Sequence, residues 1–156
     1  MLIERSCLLP CSPQRCFAEV QTTQLLRYVA NPLIGFFAID PPTFPDRWSE
    51  GKYKVGLRML GCIPLGSQVI DISQAEFSDD ETGFRVQLRD NGHSALVARW
   101  DHRITIESAP LGCRYTDKVD IRAGIFTPLV WAFAWVLFGH RQRRWQRLVR
   151  QDFEYR

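Results

Sequence analysis

The sequence predicts an α+β domain. A curved antiparallel sheet wraps around one long C-terminal helix, and two short helices follow the first strand. Three observations carry this. From Lys52 to about Arg122 apolar and polar residues alternate with period two between turn-forming clusters, the pattern of a meander of half-buried strands. From Gly124 to Arg150 the spacing becomes helical, apolar all round over Leu129 to Phe138 and one-sided over His140 to Leu148. A helix apolar on every side must be covered on every side, which a curved sheet can do.

The elements follow in order. Leu2 to Leu9 reads as a strand, stopped by Pro10-Cys11-Ser12-Pro13, where Ser12 can cap a helix and Pro13 suits its first turn. Phe17, Val20, Leu25, Leu26 and Val29 form a broken helical stripe, hence two short helices ending before Asn31-Pro32. Leu33 to Ile39 fits either a strand or a buried connection, and Asp40 to Pro45 a rigid loop. Tyr53, Val55, Leu57 and Met59 then share one face of a strand. Pro64-Leu65-Gly66 is read as the turn into a second strand, about Ser67 to Phe77, and Asp79 to Gly83 as the next turn. Phe84, Val86 and Leu88 mark a third strand, ended by a turn at Asp90-Asn91-Gly92-His93. Trp100, His102, Ile104 and Ile106 mark a fourth, and Ala109 to Gly112 a hairpin. Tyr115, Val119 and Ile121 then face inward, and Thr127 and Pro128 open the long helix as cap and first turn.

Size and charge narrow the function classes. A chain of 156 residues is most simply one domain, 1–156, with room for a sizeable core. Five Trp and ten Phe can build a wide core or line a cavity. The net charge of +3 is mild and no nucleic-acid motif is present, so a nucleic-acid partner is not expected. Arg141, Arg143, Arg144, Arg147 and Arg150 gather at the helix end, where cations suit the dipole. A weak contact of this cluster with an anionic surface stays open as an alternative. Met1-Leu2-Ile3-Glu4-Arg5 does not read as a secretory signal, and the apolar run Ile125 to Phe138 falls short of the roughly 20 residues of a membrane span. A cytoplasmic protein is expected. Cys7, Cys11, Cys16, Cys62 and Cys113 contain no CxxC, and the first three need not converge, so reduced structural thiols are expected. His93, His102 and His140 lack ligand spacing, and neither metal nor cofactor is expected.

The order of elements resembles the helix-grip fold of the START-like (SRPBCC) superfamily, which includes polyketide cyclases, lipid-transfer domains and birch-allergen-type carriers. The resemblance rests on the opening strand into Pro10 to Phe17, the strand around Trp100-Asp101-His102, the strand Tyr115 to Ile121 ending at Gly124, and the long helix with Arg144-Trp145 near its end. It implies a hydrophobic cavity between sheet and helix, holding a lipid, a polyketide or an aromatic molecule, and it fixes no activity.

Candidate site residues follow from strand parity. If Ser108 faces Cys113 across the hairpin, Ile104 faces Asp117 and His102 faces Val119, all inward, with Asp117 the diagonal neighbour of His102. Such a pair can act as a general base, or the two groups can simply satisfy one another. Tyr53, Leu57, Met59, Trp100 and Tyr115 are expected to line the cavity. The stripe Trp131, Trp135, Phe138 and Trp145 packs on the sheet, with Trp131 or Trp135 also reaching the cavity. A carrier or sensor of a small hydrophobic ligand is the first expectation, a cyclase-like enzyme using His102 and Asp117 the second, and a module binding a partner or membrane surface through the arginine cluster the third.

Overall fold

The computed structural model describes residues 1–80 and 83–156. The strands are β1 (Leu2–Leu9), β2 (Ile34–Asp40), β3 (Gly51–Met59), β4 (Ile63–Ile72), β5 (Glu76–Asp80), β6 (Gly83–Ser94), β7 (Arg99–Ala109) and β8 (Gly112–Arg122). The helices are α1 (Pro13–Val20), α2 (Thr23–Ala30) and α3 (Thr127–Arg150). All strands join one antiparallel sheet in the order β1-β8-β7-β6-β4-β3-β2, with β5 also paired to β6. The sheet curves around α3, which crosses its concave face as a single helix.

Local chemistry accounts for the ends of these elements. The Ser12 hydroxyl accepts the Arg15 backbone N–H at 3.2 Å, and the Thr22 hydroxyl accepts that of Leu25 at 3.1 Å, so each short helix carries a side-chain cap. The β7–β8 hairpin closes through Leu111 (φ 67°) and Gly112 (φ 153°). A side chain at position 112 would run into the Leu9 carbonyl, so only glycine lets β1 lie so close. The resulting β7–β8 register is the expected one, Ser108 opposite Cys113 and His102 opposite Val119.

Elsewhere the chain departs from sequence expectation. Leu33 to Ile39, left open between strand and connection, contains β2, paired to β3 with Phe37 opposite Gly56. The turn expected at Pro64 to Gly66 comes earlier, through Leu60 and Gly61 at positive φ. Pro64 lies inside β4 beside a register shift, one of the few places a sheet tolerates proline. The strand expected from Ser67 to Phe77 is broken, and β4 and β5 pair with different halves of β6. Of the turn expected at Asp79 to Gly83, Asp79 and Asp80 belong to β5, and residues 81–82 lie outside those described. Asp90 to His93 is not a turn. β6 runs through to Ser94, because cross-strand pairing outweighs the turn preference of Asp-Asn-Gly. Thr127 does not cap α3 forward. Its hydroxyl accepts the Ala123 N–H and donates to the Gly124 carbonyl, locking the short 3-10 turn at Gly124–Phe126.

The core lies between α3 and the β1-β8-β7 wing. Ile3, Val119, Ile121, Ala134 and Phe138 fill one end. Leu9, Cys16, Ile106, Tyr115, Trp145 and Leu148 fill the other, beneath α1 and α2. No helix among the described residues is long and apolar enough to cross a membrane.

Candidate functional site

On the other wing the sheet stands away from the helix. Between α3, α2 and the β3-β4-β6-β7 surface lies a cavity of about 610 Å³. Its walls are mainly aliphatic and aromatic: Leu57, Met59 and Ile70 from the sheet, Phe133 and Leu137 from α3, Val29 from α2. The exposed side chains of Leu65, Leu96 and Leu129 form part of its rim. The volume falls in the range of small-molecule sites.

A polar cluster meets the apolar space on the β7–β8 side. The Asp117 carboxylate is wholly buried and takes three donors. His102 Nε2 lies 2.8 Å from Oδ1, the Tyr115 hydroxyl donates to Oδ1 at 2.9 Å, and Gln142 Nε2 donates to Oδ2 at 3.2 Å. Gln142 also donates to the Arg5 carbonyl at 2.8 Å, tying α3 to β1. Burial works against the Asp117 charge, but the His102 hydrogen bond and the nearby Arg141 charge outweigh it and hold the carboxyl below its ordinary range. Burial, only partly offset by Asp117, lowers His102, so the imidazole is neutral. An ionised carboxylate only accepts, so His102 donates through Nε2, which leaves Nδ1 as the basic atom. Nδ1 has no hydrogen-bond partner among the described residues and is not sealed off, so it opens to the cavity.

The structure brings together on the cavity wall Leu57, Met59, Trp100, His102, Tyr115 and Asp117. It places three expected residues elsewhere. Tyr53 packs edge-on to Trp48 at 4.9 Å and hydrogen-bonds Ser49, so these two residues stand between its ring and the cavity they line. Trp131 and Trp135 stack on one another at 5.7 Å on the flank of α3 that faces β1. The Trp131 indole donates to the Leu2 carbonyl, and the Arg5 guanidinium lies 3.8 Å over Trp135. The helical stripe that meets the cavity is Phe133, Leu137, Arg141 and Trp145, about a third of a turn away.

Among the cavity residues that escaped the sequence reading, Arg141 and Asp90 matter most. Arg141 was grouped with the surface arginines, yet it stands four residues after Leu137 and four before Trp145, on the inward stripe. Asp90 was assigned to a turn, yet it continues the inward parity of Val86 and Leu88 and pairs across from His102. Burial pushes its carboxyl up to about 7. The arginine cluster as a whole is divided. Arg144 donates to the Tyr28 carbonyl at 2.8 Å and covers its ring, while Arg143, Arg147 and Arg150 are exposed.

The five cysteines are free and differ in setting. Cys16 and Cys113 are buried, Cys7 and Cys11 half-buried, and Cys62 exposed. Cys11, Cys16 and Cys113 converge, and hydrogen bonds from the Cys113 and Cys16 thiols favour the ionised form of Cys11. Among the described residues no group of three or more His, Cys, Asp or Glu is arranged to hold a metal ion.

Comparison with known proteins places this geometry. A family model described as "Domain of unknown function (DUF8410)" matches residues 45–149. No curated protein matches the chain. Among solved structures, a Chromobacterium violaceum protein is 13% identical over 95% of this chain and 96% of its own, with a TM-score of 0.60. A START superfamily protein from Mycobacterium smegmatis is 13% identical, covering 96% and 97%, with a TM-score of 0.58. The AHSA1 protein from Silicibacter pomeroyi is 10% identical, covering 97% and 99%, with a TM-score of 0.55. Likeness at such identities is one of fold. The chain belongs to the DUF8410 family, and it carries the START-like helix-grip fold.

Proposed function

We propose that this protein binds a small hydrophobic molecule between the sheet and α3, as a carrier or sensor. The observation that carries the reading is the cavity of about 610 Å³, walled by apolar side chains from both layers. A packed interior has few voids larger than a water molecule, so a space of this size is a feature that the fold maintains at the expense of core contacts. The neutral fluorophore N-phenyl-1-naphthylamine should bind with enhanced emission and be displaced by dodecanol. Leu57→Trp, which fills the lumen, should abolish that binding while the protein stays folded. Absence of binding to the wild-type protein, or undiminished binding to the variant, would remove the basis for this reading. Native mass spectrometry of freshly purified protein would then identify any molecule that co-purifies.

One observation favours a cyclase-like activity as a second reading. His102 presents Nδ1 to the cavity while Asp117 holds Nε2, the arrangement of an oriented general base. A co-purified molecule that is converted on incubation with wild-type protein, and left intact by His102→Gln, would support it. Recovery of the molecule unaltered from both would leave the carrier reading alone.

A further inference from the structure

We infer that Arg141 anchors the anionic head of an amphipathic carboxylic acid whose apolar tail fills the cavity. The inference rests on the cavity reading above and names the ligand class. Arg141 lies on the lumen stripe of α3 between Leu137 and Trp145. A guanidinium among apolar walls is costly unless a charge or hydrogen-bond acceptor meets it. The protein supplies little. The Arg141 guanidinium rests on the Phe138 ring at 4.9 Å, and its Nε is sealed from solvent without a hydrogen-bond partner. Among the described residues no carboxylate lies within ion-pair distance of it. Asp117 is the nearby fixed negative charge, but its oxygens are taken by His102, Tyr115 and Gln142.

The terminal nitrogens of Arg141 are therefore open to the lumen, and their planar fork matches a carboxylate bidentately. The surroundings accommodate the added negative charge. Asp90 faces the same space, accepts the Asp71 backbone N–H at 2.8 Å, lies across from His102 of β7 and is attracted by Arg141 of α3, while the Asp71 and Asp101 carboxylates on the far face repel it. With its carboxyl raised to about 7, it takes up a proton readily when an anion arrives. Most of the remaining wall is aliphatic and aromatic, which suits a tail.

Isothermal titration of the full chain with dodecanoate and with dodecanol separates the head from the tail. Wild-type protein should bind dodecanoate at least about tenfold more tightly than dodecanol, a margin expected of one charge-assisted bidentate contact. Arg141→Gln should erase that margin and change dodecanol affinity by less than about threefold. Equal wild-type affinities for the two probes would overturn the anchor and leave the cavity reading standing, and this comparison needs no variant. Binding of neither probe would overturn both. A loss of affinity for both probes in a folded Arg141→Gln protein would show a wall residue, and would also overturn the anchor.

Discussion

Helix α3 meets the two wings of the sheet in unlike ways. Towards β1, β8 and β7 it is packed solid. Phe138, Trp145 and Leu148 lie against Ile3, Ile106 and Val119, and Gln142 bridges to Asp117. Towards β3 and β4 the same helix faces the cavity across Phe133, Leu137 and Arg141, with a small cluster of Leu137, Ala30 and Ile34 closing one side. The two wings share strand chemistry and period-two alternation. They differ in what closes them against the helix. One wing has a buried hydrogen-bonded network and an edge strand tied down by Gln142 and Trp131. Among the described residues the other wing has no comparable network and no such tie from its edge strand to α3. A helix held firmly from one side can leave its other side unfilled, and the firm side is what keeps the gap from collapsing.

The contrast is broken most severely at Asp117. Asp117→Ala leaves the His102, Tyr115 and Gln142 donors without their shared acceptor in a sealed interior. A loss of about 3–5 kcal/mol is expected, read as a fall in the urea midpoint. A loss below about 1 kcal/mol would mean that the network does not hold the solid wing. A paired truncation sharpens the comparison. Ile106→Ala, at a site with 0% exposure, should cost about 2–4 kcal/mol through the cavity it opens. Leu57→Ala enlarges a space that already exists, so it should cost roughly 1 kcal/mol or less in stability while weakening neutral-probe binding. Equal losses from the two truncations would make the wings energetically alike.

The smallest effect concerns Asp90. Its carboxyl titrates higher folded than unfolded, so its contribution is fully present below pH about 4 and is lost as pH rises through about 7. The stability of the wild-type chain relative to Asp90→Asn should therefore decline between those values. The drift should be on the order of 1 kcal/mol, because Asp90 is only half-buried where it meets the cavity. Parallel urea titrations from pH 4 to 8 check the sign, and a flat difference would place Asp90 in a solvated setting.

The legible and illegible parts of this molecule divide along physical lines. The bounds of α3 follow from Thr127-Pro128 and the change to helical period, and the structure agrees. The His102–Asp117 contact follows from one hairpin, because a tight turn at Ala109 to Gly112 fixes every pairing beyond it. Period-two alternation shows which face of β3 turns inward, but not how far it stands from a helix more than 70 residues away in sequence, and so Tyr53 was misplaced. Aromatic residues at positions 131, 135, 138 and 145 share one side of the helix within about 80°, and composition alone does not say which edge of that stripe meets the lumen. Arg141 was hidden by its company, since an arginine among arginines resembles a solvated face. Asp90 was hidden by Asn91 and Gly92, whose turn preference loses to the ladder between β6 and β7.

The thiols give this fold a built-in clock. Cys62 sits exposed in the β3–β4 hairpin, whereas Cys16 of α1 and Cys113 of β8 are 0% exposed, packed with the last turns of α3. A maleimide added to the native protein marks Cys62 at once. It reaches Cys16 and Cys113 only in the moments when the helix end lifts from the sheet. The last mass increments of a single chain, after those of Cys62 and the half-buried Cys7 and Cys11, therefore time the opening of the gripping half against an internal reference, without denaturant. A molecule that seals the lumen reveals itself by slowing that clock, whatever its chemistry.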